Sequence, residues 1–235
     1  MSSMNRYSYI PIFIVILAIN SSFLFGQEKA DESLISYEQA MTYLLTDDYE
    51  SAKTYLEKSS SQKGEYSDLA VLELARLEGR LTGIERLRQI VEGISKKELT
   101  VRAWMYGIEG LEEGGKWKDA VDLSEEISLK FPESEIADEI ILKGAVILIK
   151  KGKTTGALHR LYKILEKYPA SRSADDACFL ISDIYRKSGE HYSPGMETAM
   201  LKSFISQINT EHYRNSLWRR EVEDRLIMKG AHLAR

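Results

Sequence analysis

Gly115-Lys116-Trp117-Lys118-Asp119-Ala120, followed by Phe131-Pro132-Glu133-Ser134 and then Ala137-Asp138, returns thirty-seven positions later. The second copy reads Gly152-Lys153-Thr154-Thr155-Gly156-Ala157, Tyr168-Pro169-Ala170-Ser171 and Ala174-Asp175. In both, Gly stands five before Ala, Pro twelve after it, Ser two further on, and Ala-Asp three beyond that. A period of this size marks stacked helical hairpins, which build one continuous core and present a surface for partners rather than a reaction chamber. The fixed residues have mechanical jobs. Ala120 and Ala157 are small enough to let the second helix of each hairpin approach the first. Gly115 and Gly152 suit a left-handed turn, which only glycine adopts without strain. Pro132 and Pro169 stop the second helix, and Phe131 and Tyr168 can pack on the hairpin just finished.

Outward from this pair, helical periodicity continues and no strand pattern interrupts it. The spacing predicts five hairpins over about residues 33–213. They pair 34–45 with 49–58, 66–79 with 83–93, 98–113 with 117–130, 134–150 with 154–167, and 173–187 with 196–208. Ala40, Tyr43, Ala52 and Leu56 fall on facing stripes of the first hairpin. Thr82-Gly83-Ile84-Glu85 has the spacing of a capping box. A last helix over about 217–232, within a terminal segment 214–235, is rich in charge, as the outer face of an end cap must be. Asn215-Ser216 could cap it.

The chain has 235 residues, 43% hydrophobic and 29% charged, which is ordinary for a folded protein. Its formal charge of −4 gives no electrostatic reason to expect nucleic acid or an acidic membrane surface as partner. The N-terminus is different. Arg6 precedes a run from Ile10 to Ile19 that is almost wholly apolar, and a small residue, Gly26, follows. That order describes a secretory signal peptide over 1–26, cut between Gly26 and Gln27, with a charged linker over 27–32. The run falls short of the roughly 20 residues that span a bilayer, so the membrane is a partner only if the segment stays uncleaved. The expected destination is the periplasm or the exterior. The single cysteine, Cys178, lies far from the apolar run, so no lipid-anchor cysteine is present there, and Cys178 reads as a small core residue.

The spaced residues resemble the tetratricopeptide repeat, whose period is about 34 residues. Its pattern of a bulky residue, small residues, Ala and Pro matches Trp104, Gly107, Ala120 and Pro132, then Ile141, Gly144, Ala145, Ala157 and Pro169. The match is closest over 100–169 and extends to Ala40, Tyr43 and Ala52, where Gly64 replaces the terminal Pro. The resemblance implies an all-α, right-handed solenoid of helical hairpins. The Pro-x-Ser-x-x-Ala-Asp phrasing, with the leader, is similar to the bacterial envelope branch of that family, including the barrel-assembly lipoprotein and the Tol-Pal coordinator. The chain departs from the first by lacking a lipid-bearing cysteine and from the second by lacking an N-terminal coiled coil.

Motifs for metal, phosphate or nucleophilic chemistry are not found in the sequence, and His159, His191, His212 and His232 read as unrelated surface residues. The expectation is therefore a protein that is not an enzyme and takes no cofactor or metal. The 138–150 helix is unusual in leaving almost no polar stripe. It is either a helix wrapped on both sides or partly the wall of a groove. In the resembled family, positions two, five, nine and twelve of each first helix face that groove. Here they are Glu139, Leu142, Val146 and Ile149, then Arg102, Met105, Glu109 and Glu112, and in the first hairpin Leu34, Tyr37, Met41 and Leu44. Such a groove would be apolar with an acidic patch and would suit an amphipathic or extended peptide with basic flanks, from an envelope protein. A carrier or chaperone for apolar clients and an accessory subunit of cell-wall machinery are the alternative readings.

Overall fold

In the computed structural model residues 31–187, 189–207 and 209–230 are described, and every regular element among them is a helix. In chain order these are α1 (Glu32–Leu45), α2 (Tyr49–Ser61), α3 (Ser67–Leu81), α4 (Ile84–Glu92), α5 (Lys97–Glu113), α6 (Trp117–Lys130), α7 (Ala137–Lys150), α8 (Thr154–Lys167), α9 (Ser173–Arg186), α10 (Pro194–Ser206), α11 (Glu211–Asn215) and α12 (Arg219–Met228). Neighbours in sequence pack on one another in order, as in an all-α helical repeat. The chain divides within α3 into two compact units, one ending at Leu77 and one beginning at Glu78. The expected leader over 1–26, with 27–30 of the linker, lies outside the described residues. No described helix is long and apolar enough to cross a membrane.

In the first unit, Ala40, Ala52 and Leu56 are fully buried, as the facing stripes require. Tyr43 stays half-buried and stacks on Tyr55 with ring centres 5.4 Å apart. The last two residues of the expected linker belong to the fold. Asp31 caps α1 by accepting the Ser33 amide at 2.9 Å, and Glu32 opens the helix. The other Asp31 oxygen takes the Glu65 amide at 3.2 Å. The Ser33 hydroxyl, with these amides, holds the Asp31 carboxyl below its ordinary range against the opposing effect of desolvation.

In the second unit, small residues set how closely helices meet. A Cβ on Gly79 would lie 2.5 Å from the Gly107 carbonyl oxygen, so α3 and α5 touch backbone to backbone. A Cβ on Gly144 would lie 2.3 Å from the Ser124 hydroxyl, and Ala120 and Ala157 have no exposed surface. Gly115 and Gly152 turn with φ of 77° and 68°, as the repeat predicts. Trp104, Ile108, Ile127, Ile141 and Leu161 fill the core between these contacts.

Side-chain bonds join residues about one repeat apart. The Lys116 ammonium donates to the Arg80 carbonyl at 2.6 Å, across 36 positions. Arg88 donates to Glu126 at 2.9 Å and Lys163 to Glu125 at 3.1 Å, both across 38. The Tyr168 hydroxyl donates to the Pro132 carbonyl at 3.0 Å, again across 36.

Some element boundaries differ from expectation. Residues 131–136 form turns, with the Ser134 amide on the Phe131 carbonyl, so α7 starts at Ala137. Thr82 does not build a capping box. Its hydroxyl donates back to the Glu78 carbonyl and carboxylate at 2.9 and 2.8 Å, and Gly83 is the cap residue of α4 without a side-chain bond. Ser193 caps α10 and Pro194 is its first residue, where a proline loses no helical bond. The short α11 was not anticipated. Arg220, Glu221 and Asp224 of α12 are exposed as an end cap requires, whereas Arg225 is buried.

Candidate functional site

The apolar helix α7 is mostly core. Ile140, Ile141 and Ile147 have no exposed surface, and Gly144 and Ala145 are buried on the faces toward its neighbours. Leu142, Val146 and Ile149 are only half-buried. Their spacing of four and three residues places them on one stripe along the helix. The helix therefore has a buried majority and a half-buried apolar stripe. Glu139, at the N-terminal end of the stripe, is exposed. Desolvation and the nearby Asp138 push its carboxyl above the ordinary value, and Arg172 and Arg102 partly offset this.

On α5, Arg102 is exposed, while Met105, Glu109 and Glu112 are half-buried. Two glutamates of the expected acidic patch already hold lysines. Lys143 of α7 lies 3.4 Å from Glu109 and 3.1 Å from Glu112, and Lys150 lies 2.6 Å from Glu112. The two glutamates thus tie α5 to α7. Burial pushes the Glu112 carboxyl upward, but bonds from Lys150 and Lys143 more than reverse it, so its pKa lies below the usual carboxylate range.

A folded-state pKa below the unfolded one gives stability that is present above the unfolded value, about 4.3, and is lost as pH falls through the folded value. Glu112→Gln is accordingly expected to cost on the order of 1 kcal/mol at pH near 7 and almost nothing at pH near 3. Urea unfolding of both proteins at the two pH values checks this. An equal loss at both would show that the ion pairs are not its source.

The repeat period also locates residues that sequence reasoning did not name. Thirty-seven positions beyond Glu139, Leu142, Val146 and Ile149 stand Asp176, Phe179, Asp183 and Arg186 of α9. The equivalent face here is covered. The Trp218 ring stacks on Phe179 with centres 4.0 Å apart and planes within 6°. Its indole N–H donates to Asp176 at 2.6 Å. Arg225 of α12 donates to Asp183 at 3.2 Å, much as Lys143 reaches Glu109. Adding thirty-seven to each α7 position was the available signal for the α9 face.

Tyr37 and Met41 of α1 are half-buried, as are Leu34 and Leu44. They belong to the first unit, where the Tyr37 ring lies 5.5 Å from that of Tyr66. Cys178 is 2% exposed, and its thiol donates to the Met200 carbonyl. Burial pushes the thiol up to about 12, which disfavours the reactive thiolate.

Taken together, α7 presents a stripe of half-exposed apolar side chains, with Glu109 and Glu112 of α5 paired to its lysines and Arg102 and Glu139 exposed. Such an arrangement can bind an apolar segment, and its polar groups serve the fold. Comparison with family models, with curated proteins and with solved structures returns no match.

Proposed function

We propose that this chain is a non-enzymatic scaffold of the bacterial cell envelope, built as a tetratricopeptide-like right-handed solenoid, that holds a partner protein on its first-helix face. The observation that supports it is the Leu142–Val146–Ile149 stripe, half-exposed on a helix whose other apolar residues are buried. An apolar stripe kept at the surface loses the burial energy its residues would gain in a core, so it is best explained by a ligand that covers it. Met105 on α5 is half-buried as well. Because Glu109 and Glu112 already hold lysines, the partner segment is selected chiefly by apolar side chains at helical or extended spacing. The envelope setting rests on the N-terminal leader pattern and the Pro-x-Ser-x-x-Ala-Asp phrasing.

The test is a pull-down of the tagged mature protein from envelope extract, with Leu142→Asp/Val146→Asp as control. Circular dichroism establishes that the control is folded. Burying two carboxylates against an apolar ligand is expected to weaken binding by about 100-fold or more. One or two stoichiometric proteins, lost in the folded control, support the scaffold. A diffuse set of unfolded clients would instead favour a chaperone, and retention by the folded control would remove the stripe from the interface.

A further inference from the structure

The C-terminal helix α12 buries a smaller share of its residues than α5 to α9 do. Three of its ten residues are buried, Val222, Arg225 and Leu226, against eight of fourteen in α7. The rest of its grip is aromatic and ionic. Besides the Trp218 stack, the Arg225 guanidinium lies 4.8 Å from the centre of the Phe179 ring, and the Lys229 ammonium lies 2.7 Å from the buried Glu197 carboxylate. A cleft of about 610 Å³ runs along the same seam, lined by Arg186, Tyr192, Pro194, Glu197 and Lys229 among others. The seam is thus incompletely filled, whereas α6 and α7 meet so closely that Gly144 has no room for a Cβ.

The α9 face under α12 has a defined chemistry. Phe179 offers its ring both to an indole and to a guanidinium. Asp176 accepts the indole N–H, and Asp183 accepts the guanidinium. Trp218 and Arg225 are seven residues apart, about two helical turns, so one segment satisfies all three residues at once.

We propose that Asp176, Phe179 and Asp183 form a second docking face, and that α12 is a latch that occupies it in cis and leaves it without unfolding of α5–α10. The face fits a helical segment carrying a tryptophan and, two turns on, an arginine. Its resident occupant is segment 214–230 of this same chain. Release extends the first-helix face from α5 and α7 to α9. The proposal stands whether or not the α7 stripe has a ligand. Local opening is cheapest where few apolar contacts hold a segment, and ionic grips weaken with salt.

Two measurements on the full chain test it. The first is amide hydrogen exchange at about 0.05 and 0.5 M salt, between which the screening length falls about threefold. Amides of 222–228 are expected to exchange at least ~100-fold faster than those of 177–184, and faster still at the higher salt. Equal rates for the two segments overturn the latch. The second adds a labelled peptide of residues 214–230 to wild type and to Trp218→Ala/Arg225→Ala. The variant is expected to bind one peptide at least ~10-fold more tightly, because the intact latch competes as a tethered ligand. Equal binding by both proteins, or by neither, overturns the docking face. If circular dichroism shows the variant unfolded, the exchange measurement on wild type decides.

Discussion

Gly79→Val is expected to destabilise the second unit by about 3 kcal/mol or more, which is about a fifth to three-fifths of the stability of an ordinary domain. The position is helical, and valine is the better helix former, which by itself would add a few tenths of a kcal/mol. The clash decides the sign. The new Cβ would stand 2.5 Å from the Gly107 carbonyl oxygen and 3.1 Å from the Leu111 amide nitrogen. Both are backbone atoms of α5, so no rotamer change relieves them, and α3 and α5 must separate. Gly195→Ala in the first turn of α10 is the control, since nothing lies within 4 Å of its added Cβ. It is expected to be neutral or stabilising by up to about 1 kcal/mol. Urea unfolding followed by far-ultraviolet circular dichroism compares the two. Similar stability for both variants would disprove the backbone contact.

Trp104→Ala should lose about 3–5 kcal/mol, the range for emptying a large buried aromatic site. Trp104 is 1% exposed and is the largest fully buried side chain of the core. The Arg88 guanidinium lies 5.8 Å from its ring centre and is itself held by Glu126, so the ring also braces a link between α4 and α6. Trp104→Phe keeps an aromatic body and is expected to lose less, about 1–2 kcal/mol. Thermal unfolding of the three proteins, with hydrogen exchange of α4 to α6, measures the order. A loss below about 1 kcal/mol for the alanine variant would mean that the site collapses around the missing ring.

Much of the helical order could be read before any coordinates, because the residues that mark it act locally. Gly115 and Gly152 announce a left-handed turn, and Ala120 and Ala157 announce a close helix contact, whatever surrounds them. The α7 stripe was legible for the same reason, since register along one helix needs no knowledge of its neighbours. Pairing between helices was not legible. Whether Glu112 faces a partner or meets Lys150 depends on the offset between α5 and α7, which neither helix encodes alone. Thr82 shows a second kind of failure. Its pattern fits a cap for α4, but it also sits at the end of α3, where the Glu78 carbonyl and carboxylate compete for its hydroxyl. Ser193-Pro194 carries a legible start for α10, two residues before the expected 196. The Trp218–Phe179 stack lay beyond reach because the longer 187–193 connection and α11 break the count of thirty-seven.

The bonds that join neighbouring repeats in the second unit have one more consequence. Lys116 to Arg80, Arg88 to Glu126, Lys150 to Glu112, Lys163 to Glu125 and Tyr168 to Pro132 all span 36 to 38 residues. Each new unit therefore brings half of the fittings for the unit before it and half for the unit after. A tandem copy of one such stretch would not arrive in phase, since thirty-seven positions beyond Arg88 and Glu112 stand Glu125 and Ile149. A molecule wired in this way gains length only when the side chains at the new junction change with the copy.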